Sequence, residues 1–198
     1  MHKAIALLTS AVAGLAMAGA VAAQDSQLPD LSGWHEASQS AAKTMVEKYG
    51  QPDGVTDTML VWNDNGPWKQ TVIYKEAIQH DFPTPHPDVL EQTIDYDVPI
   101  DMFDDLAEYD GSVIAERTAA TMAARCDKEA ANFLALNLAH EIVAGERGVE
   151  EARTFYAETM QSVMSGGEPE NPEYIQGFTF EVPQDDLTNS GEVLFEKS

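Results

Sequence analysis

The segment His80-Asp81-Phe82-Pro83-Thr84-Pro85-His86-Pro87-Asp88 carries two imidazoles and two carboxylates within nine residues. Imidazole nitrogen and carboxylate oxygen are donors that zinc, copper and manganese all accept, with geometry deciding among them. The prolines stiffen the segment and keep it out of helix, so less freedom is lost when side chains close on an ion. His80, Asp81, His86 and Asp88 are therefore candidate ligands for a divalent transition metal. Because imidazole must be neutral to ligate, binding is expected to fade below about pH 6. Neither pair has helical metal spacing, and polar residues beside prolines are also ordinary surface-loop content. The expectation turns on whether the fold makes the four converge.

His140-Glu141 begins like the zinc-protease pattern, which needs a second histidine four residues on. Position 144 is Ala, so that pattern fails. A pocket using His140 as base, beside Asn137 on the same helix face and with Cys126 brought near by the fold, is the candidate catalytic set. The competing reading is a core histidine hydrogen-bonded to a neighbouring strand. Asp95-Tyr96-Asp97 is not a calcium loop, since Ile100 and Leu106 stand where glycine and a bidentate glutamate belong. No nucleophile elbow, phosphate-binding glycine loop, dinucleotide fingerprint or haem-attachment motif occurs.

Cys126 is the only cysteine, so no intramolecular disulfide can form. It precedes a helix-like run, where a positive dipole end would favour thiolate; otherwise it is a small buried apolar residue.

The elements that must position these groups centre on residues 127–145, DKEAANFLALNLAHEIVAG. This run is apolar nearly all round a 3.6-residue period, as a buried helix is. Phe133, Leu134, Leu136 and Leu138 are expected inside, and Asn132, Asn137 and His140 need partners there. Asp127 is the expected N-cap. An earlier helix carries Ala37, Ala41, Ala42 and Met45, with Gly50 as its left-handed stop.

Residues 57–75 predict a hairpin, with Asn65-Gly66 between two β-branched and aromatic runs suited to a type I′ turn, although Pro67 leaves the register open. Residues 89–98 alternate as a half-buried strand with an acidic outer face. A short helix follows Pro99. Residues 112–125 fit either a helix, by their alanines, or two short strands, which Val113, Ile114, Thr118 and Thr121 favour. Residues 149–164 form an amphipathic helix closed by Gly166-Gly167. The fold class expected is α+β: a small antiparallel sheet packed against the buried central helix and the amphipathic helix.

Residues 1–23 read as a signal peptide, with a basic start, an apolar core and Ala20-Val21-Ala22-Ala23 before a polar stretch. A secreted or periplasmic product beginning near Gln24 is the expectation, and no later segment has the roughly 20 apolar residues of a membrane span. Residues 24–166 then form one globular domain. Residues 167–198 form an acidic tail rich in Pro and Gly, in which Phe178, Phe180 and Val182 suggest an edge strand or a segment that orders on a partner.

The formal net charge is −23 at pH 7, which excludes a nucleic-acid partner and favours a cation, a basic partner or a small ligand. With no nucleophile and base at motif spacing, the chain reads as a non-catalytic binding module. The rival is a small extracytoplasmic hydrolase-like enzyme using His140.

Overall fold

A computed structural model describes residues 28–183 and 188–195. The segment read as a signal peptide lies outside the described residues. Five helices and a six-stranded antiparallel sheet make an α+β fold. The chain runs α1 (Glu36–Tyr49), β1 (Gly54–Val55), β2 (Met59–Asn65), β3 (Trp68–His80), β4 (His86–Asp95), α2 (Phe103–Tyr109), β5 (Val113–Glu116), β6 (Thr121–Cys126), α3 (Glu129–Val143), α4 (Val149–Met164) and α5 (Glu173–Gln176). Among the described residues no helix is long and apolar enough to cross a membrane.

Strand order is β1-β2-β3-β4-β6-β5. Because strand side chains alternate between faces, each cross-strand row belongs to one side. Leu60, Ile73, Leu90 and Cys126 form an inner row. Its first three members pack with Ala41, Ala42 and Met45 of α1, while Cys126 packs with α3. Both helices therefore cover the same face. Val61, Val72, Glu91 and Arg125 form an outer row, where Arg125 pairs with Glu91 and lies over the Tyr74 ring.

The central helix is as apolar in place as in sequence: Phe133, Leu134, Leu136 and Leu138 are all buried. Its N-cap is Lys128 rather than Asp127, whose carboxylate instead faces Cys126 Sγ and Lys128 Nζ. Residues 112–125 form two strands. Of the alanines that suggested helix, Ala119 and Ala120 lie in the turn between the strands and the others on the sheet, Ala124 inward beside Val113 and Ala123 outward beside Ile114.

The β2–β3 turn differs from the type I′ expectation. Asn65 pairs with Trp68, so Gly66 and Pro67 are the two loop residues. Gly66 has φ +66° and proline fixes a negative φ after it, the sign order of a type II′ turn. Pro67 thus sits where no ladder hydrogen is required. Trp62 and Trp68 are core residues.

The strand expected over 89–98 starts earlier and ends at Asp95. It accommodates Pro87 because β6 ends opposite Leu90, leaving the 86–88 stretch paired only with β3. Hence β3 and β4 project beyond the sheet as a two-stranded ribbon closed by loop 81–85, not as one long loop.

Among the described residues the tail forms no edge strand. After α5, Phe178 and Phe180 run along α3 without joining a ladder. Asn137 supplies the hydrogen bonds that a strand would have supplied, its Nδ2 donating to Tyr174 O at 3.1 Å and Gly177 O at 2.8 Å while Oδ1 accepts from Thr179 N at 2.9 Å. Phe178 then meets Trp68 and Phe133 edge-to-face, with centroids 5.1 and 5.0 Å away.

Candidate metal centre

The ribbon ends in the register pair His80 and His86. Directly opposed residues point to one face, and Asp88, two residues on from His86, points there too. One ligand atom from each of His80, His86 and Asp88 falls within a 4.8 Å span. Strand pairing thus does what helical spacing would otherwise do.

Asp88 is the most buried of the three, its side chain 3% exposed against 17% for His80 and 16% for His86. Its Oδ2 accepts a short hydrogen bond from Ser112 Oγ. Its Oδ1 lies 3.2 Å from His86 Nε2, within ion-pair distance of that ring when it is protonated, and makes no hydrogen bond. An unpartnered buried carboxylate oxygen is costly. A cation beside it, the protonated His86 ring or a bound dication, offsets that cost.

Both imidazoles are oriented from behind. His86 Nδ1 is 2.8 Å from Thr84 O, so the Nδ1 hydrogen is directed at that carbonyl and Nε2 is turned towards Asp88. His80 turns Nδ1 to Ser112 Oγ at 3.1 Å and Asp88 Oδ2 at 3.4 Å, and Nε2 to Asp110 Oδ1 at 3.6 Å. A carbonyl or carboxylate behind a ligating histidine fixes ring orientation and raises basicity.

The Asp88 carboxylate, and after it the Cys126 sulfur, push the His86 imidazole up to about 11. Burial pushes the Asp110 carboxyl up, against its hydrogen bond from Ser112 N and the nearby imidazoles. Burial likewise pushes the Cys126 thiol up, so the helix-dipole thiolate does not form: the protonated, buried form prevails.

The chain gives no match to family models, to curated proteins or to solved structures.

Asp81 lies outside the three-residue set, its Oδ1 accepting from Gln79 Nε2 at 3.1 Å. Ser112 and Asp110 enter it unforeseen. The sequence signals a turn at Asp110-Gly111-Ser112, and Asp110 Oδ1 does accept from Ser112 N at 2.8 Å; that this turn faces the ribbon is a tertiary fact.

His140, Asn137 and Cys126 have separate surroundings, and among the described residues no hydrogen bond or ring contact joins them. Asn137 is fully occupied with the tail. His140 Nδ1 is 2.8 Å from Tyr96 OH, and its ring stacks on Phe180 at 4.1 Å. Burial holds His140 below its usual range. Cys126 instead neighbours His86 and Tyr156.

Proposed function

We propose that this chain is an extracytoplasmic binding protein, non-catalytic, that holds a divalent transition metal through His80, His86 and Asp88. The observation that carries the reading is the convergence of one donor atom from each of His80, His86 and Asp88 within 4.8 Å, on a buried carboxylate whose Oδ1 makes no hydrogen bond. Two nitrogens and one oxygen suit zinc or copper rather than calcium, which takes six to eight oxygens. The acidic chain, at −23, raises the local concentration of cations at the site.

The test is elemental analysis of protein purified from its own host, followed by melting scans with zinc, copper and manganese. An ion at about 100 times its Kd stabilises the folded state by about 2.7 kcal/mol. The parent should show that shift, and a variant combining His80→Ala with His86→Ala should not. Equal shifts in both proteins would sink the proposal.

A further inference from the structure

We infer that Cys126 is a fourth, sulfur donor to the ion held by His80, His86 and Asp88, closing the site as a four-coordinate centre for a thiophilic dication of the zinc class. The inference rests on the metal-binding reading above.

Cys126 is the last residue of β6 and the Cα partner of Leu90 on the inner face. Asp88 lies two residues before Leu90, just past the end of the β4–β6 ladder. The thiol shares a cavity with the His86 imidazole, and each shifts the other's titration. It is 6% exposed and lines a cavity of about 80 Å³ with His86, Tyr156, Met160 and Met164. The sulfur itself lies outside the 4.8 Å set; in the proposed site it would approach the ion from the His86 side of the shared cavity.

A buried thiol alone would mean only packing. What points to a ligand is Asp88, nine-tenths buried and holding an oxygen that makes no hydrogen bond, 3.2 Å from the His86 ring that lines the cavity beside Cys126. Three protein donors leave a zinc ion one position short of four, the arrangement of sites that keep a water for catalysis, whereas a fourth protein donor closes the site. Cys126 in that place accords with binding and no turnover. Binding releases the thiol proton to solvent and leaves a thiolate on the ion.

Cobalt(II) is the probe, because its visible spectrum reports tetrahedral geometry and an intense near-ultraviolet charge-transfer band reports a thiolate ligand. The chain has one cysteine, so an intramolecular thiolate band can come only from Cys126. The expected result is tetrahedral visible bands together with the charge-transfer band in the parent. In Cys126→Ser the near-ultraviolet band should vanish, and zinc affinity, by competition with a chelator, should fall by about tenfold or more. Visible bands without the thiolate band in the parent would overturn the sulfur ligand and leave the His80, His86 and Asp88 reading standing. No cobalt or zinc binding at all would overturn both. Since the deciding band is read in the parent protein, misfolding of the variant cannot hide the answer.

Discussion

His80 and His86 are Cα partners on the last rung of the β3–β4 ribbon, with ring centroids 4.9 Å apart. Beneath them the Asp88 carboxylate reaches both rings, through Oδ2 at 3.4 Å and Oδ1 at 3.2 Å. Two imidazoles over one buried carboxylate can share a proton or a dication, and the competition between these occupants fixes how the site responds to pH.

The first prediction is proton linkage. His86, raised to about 11 chiefly by Asp88, carries a proton at neutral pH that an incoming ion must displace. Apparent affinity should therefore climb by close to tenfold per pH unit between pH 6 and 9 for the His86 proton alone, and by about a hundredfold if the Cys126 thiol proton leaves with it. An ordinary histidine would level off above about pH 7. The fading expected from sequence below pH 6 thus extends upward by several units. In the metal-free protein the sign is opposite: the raised group contributes stability that is whole below about pH 6.5 and is lost as pH rises towards 11. Calorimetry with cobalt in buffers of different ionisation enthalpy measures the released protons. Affinity flat from pH 7 to 9 would refute the linkage.

Ser112 supports this arrangement from a neighbouring turn. Its hydroxyl donates to Asp88 Oδ2 and lies 3.1 Å from His80 Nδ1. Ser112→Ala should leave all three donors in place but free Asp88 to rotate, lowering zinc affinity by about 10 to 100-fold. The melting temperature without metal should change little by comparison. Unchanged affinity in chelator competition would mean that Asp88 is held by the ribbon alone.

The fold was legible where a local pattern decides it. The apolar run of α3, the Gly50 stop and the β-branched runs of β2 and β3 each carry their own signal, and all three appear in the fold. The candidate ligands were legible as types, not as a geometry. His80 and His86 look like a loop because the prolines break the alternation that marks a strand, and Pro87 is tolerated only because β6 ends where it does. Nothing local ties Ser112 or Asp110 to that ribbon. The tail misled for a related reason: alternation of Phe178, Phe180 and Val182 is the mark of a strand, but the segment's hydrogen bonds are met by one side chain, Asn137, on a helix.

Glu129 ties the two sheet-covering helices together. It accepts from Lys48 Nζ at 2.5 Å, Tyr49 OH at 2.5 Å, Trp68 Nε1 at 2.7 Å and Gln92 Nε2 at 3.3 Å. Burial alone would raise its carboxyl, but the Lys48, Tyr49 and Trp68 hydrogen bonds hold it below its ordinary value. A depressed folded-state value contributes stability that is present above the unfolded value, about pH 4.3, and is lost as pH falls through the folded one. Glu129→Gln should cost about 1.5 to 3 kcal/mol at pH 7, the range for hydrogen bonds to a charged group. Urea melts at pH 7 and pH 3 check the sign, since the gap between parent and variant must narrow in acid. A gap of constant size would assign the loss to shape rather than charge.

Asn137 makes the last prediction, because it separates anchoring of the tail from stability of the core. Its amide meets two tail carbonyls and its oxygen meets Thr179 N, so Asn137→Ala leaves three backbone groups seeking water. The cheapest remedy is release of the segment after α5, which exposes Phe178 and Phe180 and strips Phe178 from Trp68 and Phe180 from His140. Loss of a buried hydrogen-bonded group costs about 1 to 3 kcal/mol. Leu134, Leu136 and Leu138, packed on the sheet and on the other helices, keep their surroundings. Limited proteolysis should therefore cut the variant between residues 167 and 183 while 34–164 stays intact, with Trp68 emission shifted to the red. His140→Gln, which removes a stacked ring but no backbone anchor, should give a smaller shift and no new cleavage. Cleavage within α3 of the Asn137 variant would show instead that tail and core unfold as one unit.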